Sequence, residues 1–172
     1  MLLLKRLFGK PDHGREEVRP LWHRSVELAR KPEWFTRGGI ADTVEGRFDA
    51  VTLVLALVML RLDGDDALRA PSARLTELFV DDMDGQLRQS GVGDLVVGKH
   101  VGKLMGALGG RIEALKAALA KADDADLIAA IERNVTLNEG ADTAFLATEL
   151  RALAARFATT ADADLLAGRI AA

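Results

Sequence analysis

No proline follows Pro71 in this chain of 172 residues; the four prolines all lie between Pro11 and Pro71. A segment that long without a ring to break it can run as helix after helix. The apolar residues in it are spaced accordingly. Leu75, Leu78, Phe79, Met83 and Leu87 fall on one stripe at about 100° per residue. Val97, Val101, Leu104, Met105, Leu108, Ile112, Leu115 and Leu119 make a second stripe, and Leu146, Leu150, Leu153 and Phe157 a third. No strand-like alternation and no internal repeat occurs. The expected fold is all-α, a single-domain bundle of about six or seven helices. The length suits one domain. Hydrophobic residues at 49% and charged residues at 28% supply a core and rule out wholesale disorder.

Punctuation along the chain sets the expected elements. A first helix over about 19–30 ends at Lys31-Pro32, because the residue before proline avoids the helical region. A loop follows with Trp34, Phe35 and the Gly38-Gly39 pair, which would let it move. Asp42 and Glu45 have the spacing of a capping box, opening a helix to about Leu62. Its run Ala50–Leu60 is far short of the ~20 residues of a membrane span. It reads as a buried central helix, apolar all round. Another helix opens at Pro71-Ser72 and stops at Gly91, a left-handed C′ residue. Asp94 caps the next helix, over about 95–120. That helix contains Gly98, Gly102, Gly106, Gly109 and Gly110, each costing about 1 kcal/mol relative to alanine. Either a helix packs closely on them, which is the plainer reading, or they line a groove for a partner. Helices over 123–134 and 140–159 and a short one over 162–170 complete the chain.

Asp82 falls in the middle of the first apolar stripe. A carboxylate aimed at a core is costly unless paired, so it is expected to be buried with a cation. Arg47 is the natural partner, since the first turn of a helix disfavours a cation unless an anion offsets it. Arg111 is the alternative, and Asp49 is available for a local pair. Asp84 and Arg88 have i,i+4 spacing.

Several chemistries are excluded. Net charge −3 and pI about 5.6 argue against direct nucleic-acid recognition. There is no cysteine, hence no thiolate chemistry or disulfide. His13, His23 and His100 are scattered, and Asp81 and Asp84 have no histidine near them, so no metal site is expected. Gly91-Val92-Gly93-Asp94 lacks the spacing and Lys-Ser/Thr ending of a phosphate loop. No cofactor and no catalytic residues are expected. Lys99 and Lys103 read as solvated charges. Residues 1–18 are set apart as an N-terminal segment, either loose or touching a membrane, before a helical domain over 19–172. Met1–Lys10 is not a signal peptide, because charge interrupts its short apolar run.

Three blocks resemble the signature of the ubiquinol–cytochrome c chaperone family. The longest is Asp82-Met83-Asp84, Leu87-Arg88, Gly91-Val92-Gly93-Asp94 and Val97-Gly98-Lys99, matching D-M-D-x-x-L-R-E-x-G-V-G-D-x-x-V-G-K. Asp42-Thr43-Val44-Glu45-Gly46-Arg47-Phe48 matches D-T-x-x-G-R-F, and Arg30–Phe35 is similar to R-x-P-x-F-Y. The resemblance implies a helical chaperone for assembly of the cytochrome bc1 complex, without enzyme activity. Its client would be newly synthesised cytochrome b, met in the membrane or at the ribosomal tunnel exit. The signature residues would then be structural or client-binding. A client groove is expected from Trp34, Phe35, Gly98, Gly102, Met105 and Gly109. The alternative is a helical adaptor or regulatory binding module with no membrane-protein client. With no transit peptide and an alanine-rich composition, the chain reads as bacterial and cytoplasmic, either free or peripheral on the inner membrane.

Overall fold

A computed structural model describes residues 13–171, apart from Ser90, Val92 and the side chains of His13, Asp94, Leu95 and Val97. The N-terminal segment singled out above lies largely outside the described residues. Eight helices follow in order: α1 (His13–Leu28), α2 (Pro32–Thr36), α3 (Val44–Asp63), α4 (Arg69–Gln89), α5 (Asp94–Leu119), α6 (Ala125–Asn134), α7 (Thr143–Thr159) and α8 (Asp162–Leu166). A 3₁₀ turn over Asp66–Leu68 leads into α4. Among the described residues there is no strand, only a single antiparallel bridge between Ile40 and Leu137. The all-α bundle is as the periodicity requires.

The hydrophobic helix α3 is the axis of the fold. Residues 52–59 are all buried, so it has no polar face to turn outward. Around it α1 packs on α4, α5 and α7 pack on α3 itself, and α6 lies across α5 and α7. Phe79 joins three of these helices. It meets Trp22 edge-on with ring centres 6.0 Å apart and lies 6.3 Å from the Phe48 ring. The C-terminal tail closes on α1, where Arg24 donates to the Ile170 carbonyl from Nε and Nη2, at 3.2 and 2.7 Å.

Three local expectations are corrected. The α3 cap is Thr43, whose extended backbone brings its hydroxyl over the first turn to accept from the Gly46 N–H at 3.1 Å. Asp42 turns away and accepts from Arg47 Nε at 2.6 Å. The segment expected as a mobile loop is instead the short helix α2, opened by Pro32 in its first turn. Its Trp34 is only 1% exposed. The glycine pair serves close packing rather than motion. Gly39 has φ +78°, and a Cβ there would lie 2.6 Å from Ala141 Cα. Helix α1 starts at His13 and runs through Pro20, well before Arg19 where it was expected to begin. The carbonyl that Pro20 leaves without an N–H partner is that of Glu16, an exposed residue.

The buried ion pair is not the one expected. Arg47 is exposed and bound to Asp42. Asp49 and Arg111, each 7% exposed, hold each other instead. Asp49 Oδ1 accepts from Arg111 Nη2, while Oδ2 accepts from the backbone N–H and the hydroxyl of Thr136, both at 2.8 Å. Arg111 also donates from Nη1 to the Thr52 hydroxyl and from Nη2 to the Asn134 carbonyl at 2.6 Å. Its guanidinium lies 5.7 Å from the Phe48 ring centre. The carboxylate is thus fully engaged, and α3, α5 and the α6–α7 connection meet at one polar point inside an apolar core.

Removing either partner leaves a buried charge alone. Asp49→Ala and Arg111→Ala should each cost about 3–5 kcal/mol in denaturant unfolding, whereas Arg47→Ala, at an exposed pair, should leave the unfolding midpoint nearly unchanged. The glycines separate in the same way. A Cβ on Gly46 would run into the Ala41 carbonyl, so Gly46→Ala should destabilise by about 1–3 kcal/mol. Nothing lies within 4 Å of a Cβ on Gly98. Gly98→Ala should therefore raise stability by up to about 1 kcal/mol, read from the unfolding midpoint.

Candidate functional site

The two longer signature blocks occupy different kinds of place. Residues 42–49 belong to the architecture. Thr43 caps α3, Gly46 allows the chain to pass the Ala41 carbonyl, and Phe48 packs on Phe79 and beside Arg111. Asp49 anchors the buried pair. Asp42 and Arg47 form a surface pair at the start of α3. Arg47 holds the Asp42 carboxyl below its ordinary pKa by a side-chain hydrogen bond, and the same bond raises Arg47. What this block leaves on the surface is that pair together with exposed Val44 and Glu45.

The block over 82–99 is different. It covers the last two turns of α4, the link, and the first turns of α5. Met83 is its anchor in the core, 7% exposed. Beyond it, none of the described side chains over 84–107 is buried, and Leu108 is the first buried residue of α5. The end of α4 and the first half of α5 form a helical hairpin outside the main core. Gly91, with φ +82°, ends α4 as expected, its N–H bonded to the Arg88 carbonyl at 3.0 Å. Gly93 is the N-cap of α5, and Asp94 is the first residue of the helix. Arg88 Nε bonds Asp84 Oδ2 at 2.7 Å, the i,i+4 pair read from the spacing. Lys99 is exposed, as its position beside the stripe suggests.

Asp82 is also exposed, which overturns its expected burial. Its contact is the Gln86 amide at 3.5 Å, not Arg47 or Arg111. The wheel misleads here because the stripe ends where the core does: past Phe79, α4 keeps only Met83 inside. Asp82 lines an open cleft of about 480 Å³ between α1 and α4, together with Trp22, His23, Val26, Glu27 and Arg30.

The expected glycine contacts are likewise absent. Gly98, Gly102, Gly106, Gly109 and Gly110 are all exposed, and a Cβ on any of them would meet nothing within 4 Å. No helix among the described residues packs there. Four of them, Gly98, Gly102, Gly106 and Gly110, recur at every fourth residue and leave a strip of bare helix backbone. The groove drawn around them is not assembled as expected. Trp34 is in the core, Phe35 is half-buried against it, and Met105 packs partly on it from α5. What remains is an open helix face carrying Gly98, Gly102 and Gly109 on the hairpin. Nothing in the residue spacing pairs Asp49 with Arg111. The one available signal of the pair was an aspartate on the otherwise apolar α3.

The chain is similar over 98% of its length to 95% of a solved structure described as the Cbp3 homolog from Brucella abortus, with 28% identity and a TM-score of 0.80. A search of curated proteins gave no match. The family model described as Ubiquinol-cytochrome C chaperone matches residues 36–172, which take in both longer signature blocks and the whole bundle from α3 onward. The chain belongs to the ubiquinol-cytochrome C chaperone family.

Proposed function

We propose that this protein is a bc1 assembly chaperone that binds newly made cytochrome b and works by holding it, not by catalysis. The observation that carries the reading is the position of the longest signature block. Apart from Met83 it lies on a hairpin whose described side chains are not buried, so most of its residue choices call for an explanation outside folding. The strip of open glycines on α5 supports it further. Small residues let another helix approach the backbone closely, as they do between membrane helices. A multi-span subunit waiting for its partners exposes helices of that kind, and an apolar helix docks on a complementary face through i, i+3, i+4 contacts. The five glycines weaken α5 by about 1 kcal/mol each, a cost that intramolecular packing does not offset.

No helix among the described residues is long and apolar enough to cross a membrane. The protein would therefore meet its client from the surface. Met1–Lys10 combines Leu2, Leu3, Leu4, Leu7 and Phe8 with Lys5, Arg6 and Lys10, a pattern that favours an anionic membrane surface. A position near the ribosomal tunnel exit fits the same role.

Deletion of the gene should lower assembled bc1 complex and cytochrome b, with other respiratory complexes much less affected. Normal bc1 levels, in a strain without a second homologue, would reject the assignment. The client face is tested by Gly102→Leu, which has open space around it. It should keep or raise the unfolding midpoint, as at Gly98, while reducing crosslinking to newly made cytochrome b several-fold. Undiminished crosslinking would remove the glycine strip from the client face.

A further inference from the structure

We propose that the cleft between α1 and α4 docks a basic side chain of a partner polypeptide: a lysine or arginine flanking an apolar segment. The inference rests on the reading above, that the client is a membrane polypeptide, and adds a second contact to it. The charges of these two helices are almost fully matched. On α1, Glu16 pairs with Arg19, Glu17 with Arg74, and Glu27 with Arg24. On α4, Glu77 and Asp81 both pair with Arg15, and Asp84 pairs with Arg88. Asp82 is the one carboxylate of either helix with no ion-pair partner among the described residues.

Its surroundings suit a cation with an aliphatic stem. Asp82 opens into the same cleft as Trp22 and Val26, so one end of an entering side chain would lie on apolar surface while its charge reached the carboxylate. Arg30 lines the cleft too and has no ion-pair partner among the described residues. It opposes a second positive charge and leaves donors for the carbonyls or a carboxylate of the same segment. His23 and Glu27 complete the lining, Glu27 already held by Arg24 at 2.8 Å. The occupant follows from charge complementarity. The loops of membrane proteins on the cytoplasmic side are rich in lysine and arginine close to the ends of their apolar segments. A chaperone that seats the apolar segment on its hairpin would meet those residues beside it.

The test uses the full chain and synthetic peptides with one apolar helical segment, flanked by lysines, by glutamines or by glutamates, titrated by fluorescence anisotropy. The lysine-flanked peptide should bind about three- to tenfold tighter than the glutamine-flanked one at low salt, less so as salt screens the pair. Asp82→Asn should abolish that preference while leaving the unfolding midpoint unchanged, because the side chain is exposed. Arg30→Gln should keep the preference or strengthen it. Equal binding of the three peptides, a preference that survives Asp82→Asn, or tighter binding of the glutamate-flanked peptide would overturn the proposal. If Asp82→Asn leaves crosslinking to cytochrome b intact while Gly102→Leu removes it, the cleft proposal falls and the chaperone reading stands.

Discussion

The Asp49–Arg111 pair is the point on which the architecture turns. Two charges removed from water repay their desolvation only when the geometry is good and further hydrogen bonds engage the remaining lone pairs and protons. Here Asp49 is satisfied by Arg111 and by both donors of Thr136, and Arg111 gives Nη1 and Nη2 to Thr52, Asp49 and the Asn134 carbonyl, its buried Nε–H alone having no partner among the described residues. These contacts come from three parts of the chain far apart in sequence. A slipped register of α5 on α3 would strand a charge in hydrocarbon. Apolar packing alone would tolerate such a slip, since α3 offers Val, Leu, Ala and Met on every side. The pair selects one arrangement among several of similar apolar contact.

That function explains why the first signature block looks as it does. Thr43, Gly46, Phe48 and Asp49 set the start and direction of α3 so that the carboxylate reaches α5. The Gly39 turn and the Ile40–Leu137 bridge bring the α6–α7 connection alongside, with the Ala41 N–H bonded to the Thr136 carbonyl at 2.9 Å. Thr136 then delivers its two donors. The second block, on the hairpin, takes no part in this. A single family signature thus combines residues that build the body with residues that, apart from Met83, lie outside its core.

The legible parts of the sequence were those governed by period and punctuation. The apolar stripes of α4, α5 and α7 and the all-round apolar run of α3 gave the helices, and Gly91 gave the α4 end, because a positive φ there requires glycine. What was illegible depended on where the core stops. Asp82 sits on the stripe of α4 by angle, yet α4 leaves the body near Met83, and periodicity carries no information about that exit. The glycines of α5 posed the same problem. Spacing showed one shared face but not whether anything covered it. Pairing was hidden too. Arg47 and Arg111 were equal candidates on charge alone, and only the packing of α5 on α3 put Arg111 inside. Trp34 misled because proline and glycine neighbours suggest a loop, whereas Pro32 was starting a helical turn.

Arg111 comes immediately after Gly109-Gly110, so the firmest polar contact of α5 adjoins its weakest stretch of backbone. One continuous helix therefore has two thermodynamic regimes. Its second half can open only with the body, while the first half, with glycine entropy against it and no buried side chain described, sits at the low end of the local unfolding scale. In hydrogen exchange the amides of the two halves would be protected to very different degrees, despite belonging to one element. The junction works as a firebreak: fraying that begins at the hairpin stops at the guanidinium, and α3 never feels it.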